Sequence, residues 1–175
     1  MFKGLTVIFL AAALAACTAE APLTDGSWRL NGSQSDVVFI SVKNGDVAEI
    51  SRFGTLSGAV MADGRAELTV PATSVETYVD IRNERLRDIF FEVSRFPDIN
   101  VSTDIDPALI EALAVGNATE TELVLTVSLH GEARTVYAPV RIVRSGPDQV
   151  LVISSEPALV DARDFGLGEA VDALA

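Results

Sequence analysis

Apolar and polar positions alternate along most of the chain after residue 27, and the period is two rather than the 3.6 of a helix. Asp36 to Lys43 (Asp-Val-Val-Phe-Ile-Ser-Val-Lys) is rich in β-branched and aromatic residues and stops at Asn44-Gly45, a pair suited to a tight hairpin turn. Val47 to Phe53 follows and halts at Gly54. Leu56 to Met61 is closed by Asp63-Gly64, and Ala66 to Val70 by Pro71. Thr119 to Leu129 places Leu123, Leu125, Val127 and Leu129 on one face and Glu122, Val124, Thr126 and Ser128 on the other. Ala133 to Arg144 does the same with Val136, Ala138, Val140 and Ile142, and His130-Gly131-Glu132 joins the two runs. Gln149 to Ser155 is a further strand candidate. Successive side chains leave a strand on opposite faces, so each run predicts a strand with one face for a core. Many short strands with hairpin turns predict an all-β, antiparallel sandwich or barrel, and the period does not choose between them. A closed sheet of about eight strands has room inside for side chains or one slim ligand.

One stretch breaks the period. In Asp80 to Val93, Leu86, Ile89, Phe90 and Val93 follow the i, i+3, i+4, i+7 spacing of an amphipathic helix, with Asp80 as its N-cap and Pro97 as its end. Pro107 to Leu113 predicts a second short helix. Arg82, Arg85, Arg87 and Arg95 crowd this region beside Glu84, Asp88 and Glu92, the pattern of a solvated, ion-paired helix face.

The N-terminus reads Met1-Phe2-Lys3, an apolar run from Leu5 to Leu14, then Ala15-Ala16-Cys17. A cation, an apolar stretch and small residues make a secretory signal. The stretch is too short to cross a bilayer, which takes about 20 residues. Leu14-Ala15-Ala16-Cys17 resembles the lipobox of bacterial lipoproteins. It implies a signal peptide over 1–16, acylation of Cys17 and a tether over 17–26 ahead of one domain over 27–175. The alternative is an ordinary signal peptide with Cys17 a bystander. Either way the expected location is the periplasm. With acylated Cys17 the protein is anchored to a membrane, and Thr18 in place of Asp after the cysteine points to the outer membrane. Cys17 is the only cysteine, so no disulfide framework is expected. The formal net charge of −12 repels nucleic acid and anionic headgroups, which leaves the acyl group as the membrane attachment.

From Thr77 onward, Arg82-Asn83, Leu86, Phe90-Phe91, Val93 and Phe96-Pro97 resemble the pattern of the YceI-like family. Trp28 agrees with it, as do Ser35, Val37 and Phe39, Leu125-Thr126 to Gly131, and Arg163-Asp164-Phe165-Gly166, in the same order. The resemblance spans Trp28 to Gly168. It implies a lipocalin-like antiparallel barrel with a helix beside it, and a long hydrophobic pocket for a polyisoprenoid chain such as a quinone tail or polyprenyl lipid. On that basis the expected ligand-binding residues are Phe39, Phe53, Leu86, Ile89, Phe90, Phe91 and Phe96, with Leu123, Leu125 and Val127. Each taken alone reads first as core packing. Arg82, which matches the motif, is the cation expected to meet a lipid headgroup or quinone carbonyl. Two departures stand out. Asn83 replaces a common Asp, removing any salt bridge made there. After Phe165-Gly166 the tail Gly168 to Leu174 reads as a short helix, so the barrel is expected to lack its closing strand and to be open at one seam.

No catalytic or metal site can be assembled. His130 is the only histidine and is expected to sit exposed and unpartnered in a turn. Neither Gly-x-Ser-x-Gly nor His-Glu-x-x-His occurs, and Asp104-x-Asp106 before Pro107 reads as loop rather than as a calcium site. No cofactor is expected. The function expected is non-covalent binding, storage or transport of an isoprenoid-type lipid in the bacterial cell envelope. The alternative is a non-catalytic envelope module that recruits a protein partner through an open sheet edge or its acidic face. A homodimer stays open.

Overall fold

The computed structural model describes residues 26–43 and 47–174. The expected signal peptide, Cys17, nearly all of the expected tether and the Asn44-Gly45 pair expected to turn lie outside the described residues. The strands are β1 (Trp28–Arg29), β2 (Val37–Lys43), β3 (Val47–Phe53), β4 (Ser57–Val60), β5 (Arg65–Pro71), β6 (Val75–Glu76), β7 (Asp98–Asp104), β8 (Ala118–Leu129), β9 (Glu132–Gly146) and β10 (Gln149–Ser154). The helices are α1 (Asp80–Arg85), α2 (Pro107–Glu111) and α3 (Gly168–Leu174). The predicted alternating runs all appear as strands, within a residue or two of the expected bounds.

All pairings are antiparallel. A seven-stranded sheet runs β1-β4-β5-β7-β8-β9-β10, and a three-stranded sheet runs β2-β3-β6. The larger sheet curls into a half-barrel, an open lipocalin-like form. One apolar cluster, built on Phe53, Leu56, Val70, Ala72, Val75 and Phe91, packs the small sheet against the end of the half-barrel where Ile99 and Leu129 lie. A second, built on Ala138, Val140 and Ile142, sits toward the other end of β8 and is covered by Leu109 and Leu113 of the α2 region.

The helical segment departs from expectation. Val79 rather than Asp80 holds the N-cap position, and no side chain caps it. After Arg85 the coil widens into one π-helical stretch, Leu86–Phe90, so the predicted single helix to Val93 ends early. The widened turn aims Phe91 into the first cluster, where it is 6% exposed. The tail forms the short helix α3 as expected. Phe165 and Leu167 beside it are 1% exposed and fix the tail to the body.

Candidate functional site

The concave face of the half-barrel is apolar because alternate residues of four neighbouring strands turn to it. Register brings Leu68 of β5 opposite Val101 of β7, and Val101 opposite Val127 of β8. Leu125 and Leu123 continue the strip along β8, opposite Val136 and Ala138 of β9. Val136 and Ala138 are buried, whereas Leu68, Val101, Leu123, Leu125 and Val127 are only half-buried. Such a strip is a trough floor, partly covered and unsealed. A long hydrophobic pocket was expected, and this strip is the apolar surface that corresponds to it. Two open hollows lie elsewhere among the described residues. One, of about 560 Å³, is bordered by Leu159 to Asp164 and Val171; another, of about 370 Å³, by Ala118 to Glu120 and Arg141. Neither holds any of the predicted lining residues.

The predicted residues divide into three groups. Leu123, Leu125 and Val127 form the trough floor. Phe39, Phe53, Leu86, Phe90 and Phe91 form an aromatic wall at one end. The Phe39 and Phe53 rings are 5.5 Å apart, Phe53 and Phe91 5.9 Å, and Phe90 stands edge-on to Phe91 at 4.9 Å. Within this wall Phe53 and Phe91 are core residues, while Phe39, Leu86 and Phe90 are half-buried against them. Ile89 is 41% exposed and belongs to neither apolar cluster, and Phe96 packs elsewhere, on His130. Leu68 and Val101 were missed. The alternation Ile99, Val101, Thr103 was the signal that could have found β7.

Arg82 does not stand free at a mouth. Its two terminal nitrogens donate to the two carboxylate oxygens of Glu49 at 3.0 and 3.1 Å, tying α1 to β3. Next to it Asn83 is 3% exposed. Its Oδ1 accepts from the Thr77 hydroxyl (2.7 Å) and backbone N–H (2.8 Å), and its Nδ2 donates to Glu76 Oε1 (3.0 Å). The Asn83 amide, followed by the Tyr78 N–H, holds the Glu76 carboxyl below the usual carboxylate range. Arg87 reaches the carbonyls of Thr73 and Val75, and Arg85 that of Ala173, instead of pairing along a solvated face. Arg95 does pair with Glu92, at 2.6 Å.

His130 is neither exposed nor unpartnered. Its side chain is 17% exposed, its Nε2 lies 3.0 Å from Glu92 Oε1, and its ring centre is 4.3 Å from that of Phe96. His130 (φ 53°) and Gly131 (φ 81°) make the tight turn of the β8–β9 hairpin. A Cβ on Gly131 would lie 3.1 Å from the Phe96 ring, so glycine allows this closeness. Arg95, then His130, lower the Glu92 pKa through hydrogen bonds to its carboxylate. The cluster latches the segment after α1 onto the hairpin at the aromatic end of the trough.

At the other end Arg144 donates to the carbonyls of Ile110 (3.3 Å), Leu113 (3.4 Å) and Pro147 (3.0 Å), closing the C-terminal end of α2. Asp104 ends β7, and Asp106 caps α2 by accepting from Ala108 N–H at 3.0 Å. Among the described residues no group of three His, Cys, Asp or Glu could hold a metal ion.

The profile of the YceI-like domain matches residues 28–174. In structure the chain is similar to a polyisoprenoid binding domain from Saccharophagus degradans implicated in plant cell wall breakdown, with 30% identity, 85% of each chain covered and a TM-score of 0.82. It is also similar to two mutant CJ YCEI proteins, one made for nanotechnology applications and one with a monobromobimane guest. Each is 16% identical and covers 75% of this chain and 97% of its own, with TM-scores of 0.46 and 0.47. Among curated proteins, none matches.

Proposed function

Because this chain belongs to the YceI-like domain family, we propose that it binds an isoprenoid-type lipid, a quinone or polyprenyl chain, non-covalently along the concave face of its half-barrel. The observation that carries this reading is the half-buried apolar strip from Leu68 through Val101 and Val127 to Leu123, continuous over neighbouring strands. Half-covered apolar side chains in a continuous strip offer area that a guest chain can bury. The polyisoprenoid binding domain that shares the architecture supports the choice of guest. Burial releases about 0.8 kcal/mol per methylene, and a trough that covers one side of a chain recovers about half of that, so affinity grows with chain length. Headgroup contacts contribute less, since Arg82 is already engaged by Glu49.

The working place is the cell envelope. Acylated Cys17 anchors the protein to the outer membrane and faces the domain to the periplasm. Replacing Cys17 with Ser should move the protein from the membrane to the soluble periplasmic fraction; persistence in the membrane fraction would remove the anchor.

The test is uptake of a fluorescent polyprenol or quinone by the purified protein. Leu125→Asp should weaken uptake by about ten-fold or more, since it places a charge on the trough floor. Leu125→Thr, which keeps the strand preference, should weaken it less and guards against a folding artefact. Equal uptake by the folded variants and the unsubstituted chain would sink the trough assignment.

A further inference from the structure

We propose, resting on the lipid reading and the Cys17 anchor above, that the outward face of the three-stranded sheet docks the domain on a zwitterionic lipid leaflet, as a second attachment besides the acyl group. Val37 and Phe39 of β2 turn to the first cluster, and Ser51 and Phe53 of β3 are buried. The residues between them leave the strands on the opposite side. There Val38, Ile40, Val42 and Ile50 are 58%, 56%, 63% and 65% exposed, and register sets Ile40 directly across from Ile50. An antiparallel pair with one face on a core ordinarily keeps the other face polar. Contiguous bare apolar side chains mark an interaction or membrane surface instead.

Two observations select the leaflet. The first is an aromatic at the margin. Tyr78 is 70% exposed and has φ 61°, a left-handed conformation that bulky side chains rarely adopt. Its N–H donates to Glu76, and the Arg52 guanidinium lies over its ring, 5.9 Å from the centroid. Arg52 stands across from Val38, on the apolar face. Strain that holds an aromatic ring out in water points to something that the ring meets. Aliphatic side chains bordered by a tyrosine and a guanidinium match a bilayer interface. The aliphatic groups enter the acyl region, the ring sits at headgroup level, and the guanidinium meets a lipid phosphate.

The second observation is charge. Although the chain carries a formal net charge of −12, the positions of β2 and β3 on this face hold no acid, and Arg52 is their one charge among the described residues. Glu76, across from Arg52 on β6, is engaged by the Asn83 amide, and Asp36 and Asp80 come at the margin. The rest of the molecule still opposes an anionic surface, so the match is to a zwitterionic one. Gly26, where the described residues begin, is nine residues on from Cys17, and that tether spans at most about 30 Å. An acylated Cys17 therefore keeps the domain at the bilayer and leaves its orientation to the face that buries most apolar area. The inner face of the same two strands carries Phe39 and Phe53, so docking sets the aromatic end of the trough one sheet's thickness from the lipid.

The experiment uses the full chain with Cys17→Ser, which removes the only native thiol and the acyl group with it. In this background Ile40→Cys carries an environment-sensitive nitrobenzoxadiazole label. Phosphatidylcholine vesicles free of isoprenoid should shift its emission to the blue and brighten it about three-fold or more. The same label at Val124→Cys, 55% exposed on β8, should not respond. No response at position 40, or an equal response at both positions, would overturn the proposal. Adding Ile50→Asp to the Ile40→Cys chain should weaken vesicle binding about ten-fold with the β-sheet circular dichroism unchanged; undiminished binding would also overturn it. Leu125→Asp should leave the response intact, so failure of the trough and failure of the docking face are read separately.

Discussion

Asn83 supplies both halves of a buried exchange, since its carbonyl accepts from Thr77 while its amide donates to Glu76. An aspartate there could accept but not donate, and it would face a second carboxylate. Asn83 thus goes with a Glu76 that needs a donor. Asn83→Asp should therefore cost about 2 kcal/mol in urea unfolding, and adding Glu76→Gln should recover much of it by restoring a donor. No loss in the single variant would show that the pairing carries no stability. Glu92 gives a pH test. Its pKa is lowered in the folded protein, so its hydrogen bonds to Arg95 and His130 contribute above the unfolded carboxyl value, about 4.3, and are lost as pH falls through the folded value. The stability gap between the unsubstituted chain and Glu92→Gln should be present near neutrality and close in acid. A gap constant with pH would contradict it. His130 was misread because sequence shows a turn but not what folds back over it. Its partner Glu92 is 38 positions away.

Local alternation was enough to read most strands, because each has one face on a core and one in water. β7 escaped for a physical reason. Its outward residues Asp98, Asn100, Ser102 and Asp104 are all polar turn-formers, and Pro97 precedes it, so its composition imitates a loop. Only pairing with β5 and β8 makes it a strand. The widening after Arg85 was likewise invisible, since apolar spacing at 86, 89, 90 and 93 fits a regular helix. Packing of Phe91 beside Phe53 decided otherwise. The Asp63-Gly64 turn, by contrast, was legible. Gly64 has φ 93°, and a Cβ there would come within 2.0 Å of the Ile105 carbonyl oxygen. Gly64→Ala should destabilise the β4–β5 hairpin by about 2 kcal/mol or more, from strain and displaced backbone together. An unchanged thermal midpoint would mean that the loop after β7 yields freely.

For the whole molecule, the trough is the feature that sequence could announce but not shape. Inward faces were apolar in the pattern, yet whether strands enclose a cavity or curl around an open floor depends on how many pair and where the edges fall. That is a property of topology, which alternation does not encode. The openness bears on how a lipid would be exchanged with a membrane. The protein carries about twice as many acidic as basic residues, 25 against 13, so its field opposes approach to an anionic bilayer. The binding step itself is apolar burial, which salt hardly changes. Rate and affinity should therefore separate. Transfer of a polyprenol from anionic vesicles should be slow at low ionic strength and should speed up as salt screens the repulsion over a Debye length that shrinks to about 3 Å at 1 M. Transfer from zwitterionic vesicles should be nearly salt-independent, and the equilibrium affinity for the chain should stay the same in both. A transfer rate that falls with added salt would mean that a cationic surface does the docking, contrary to the charge balance of this chain.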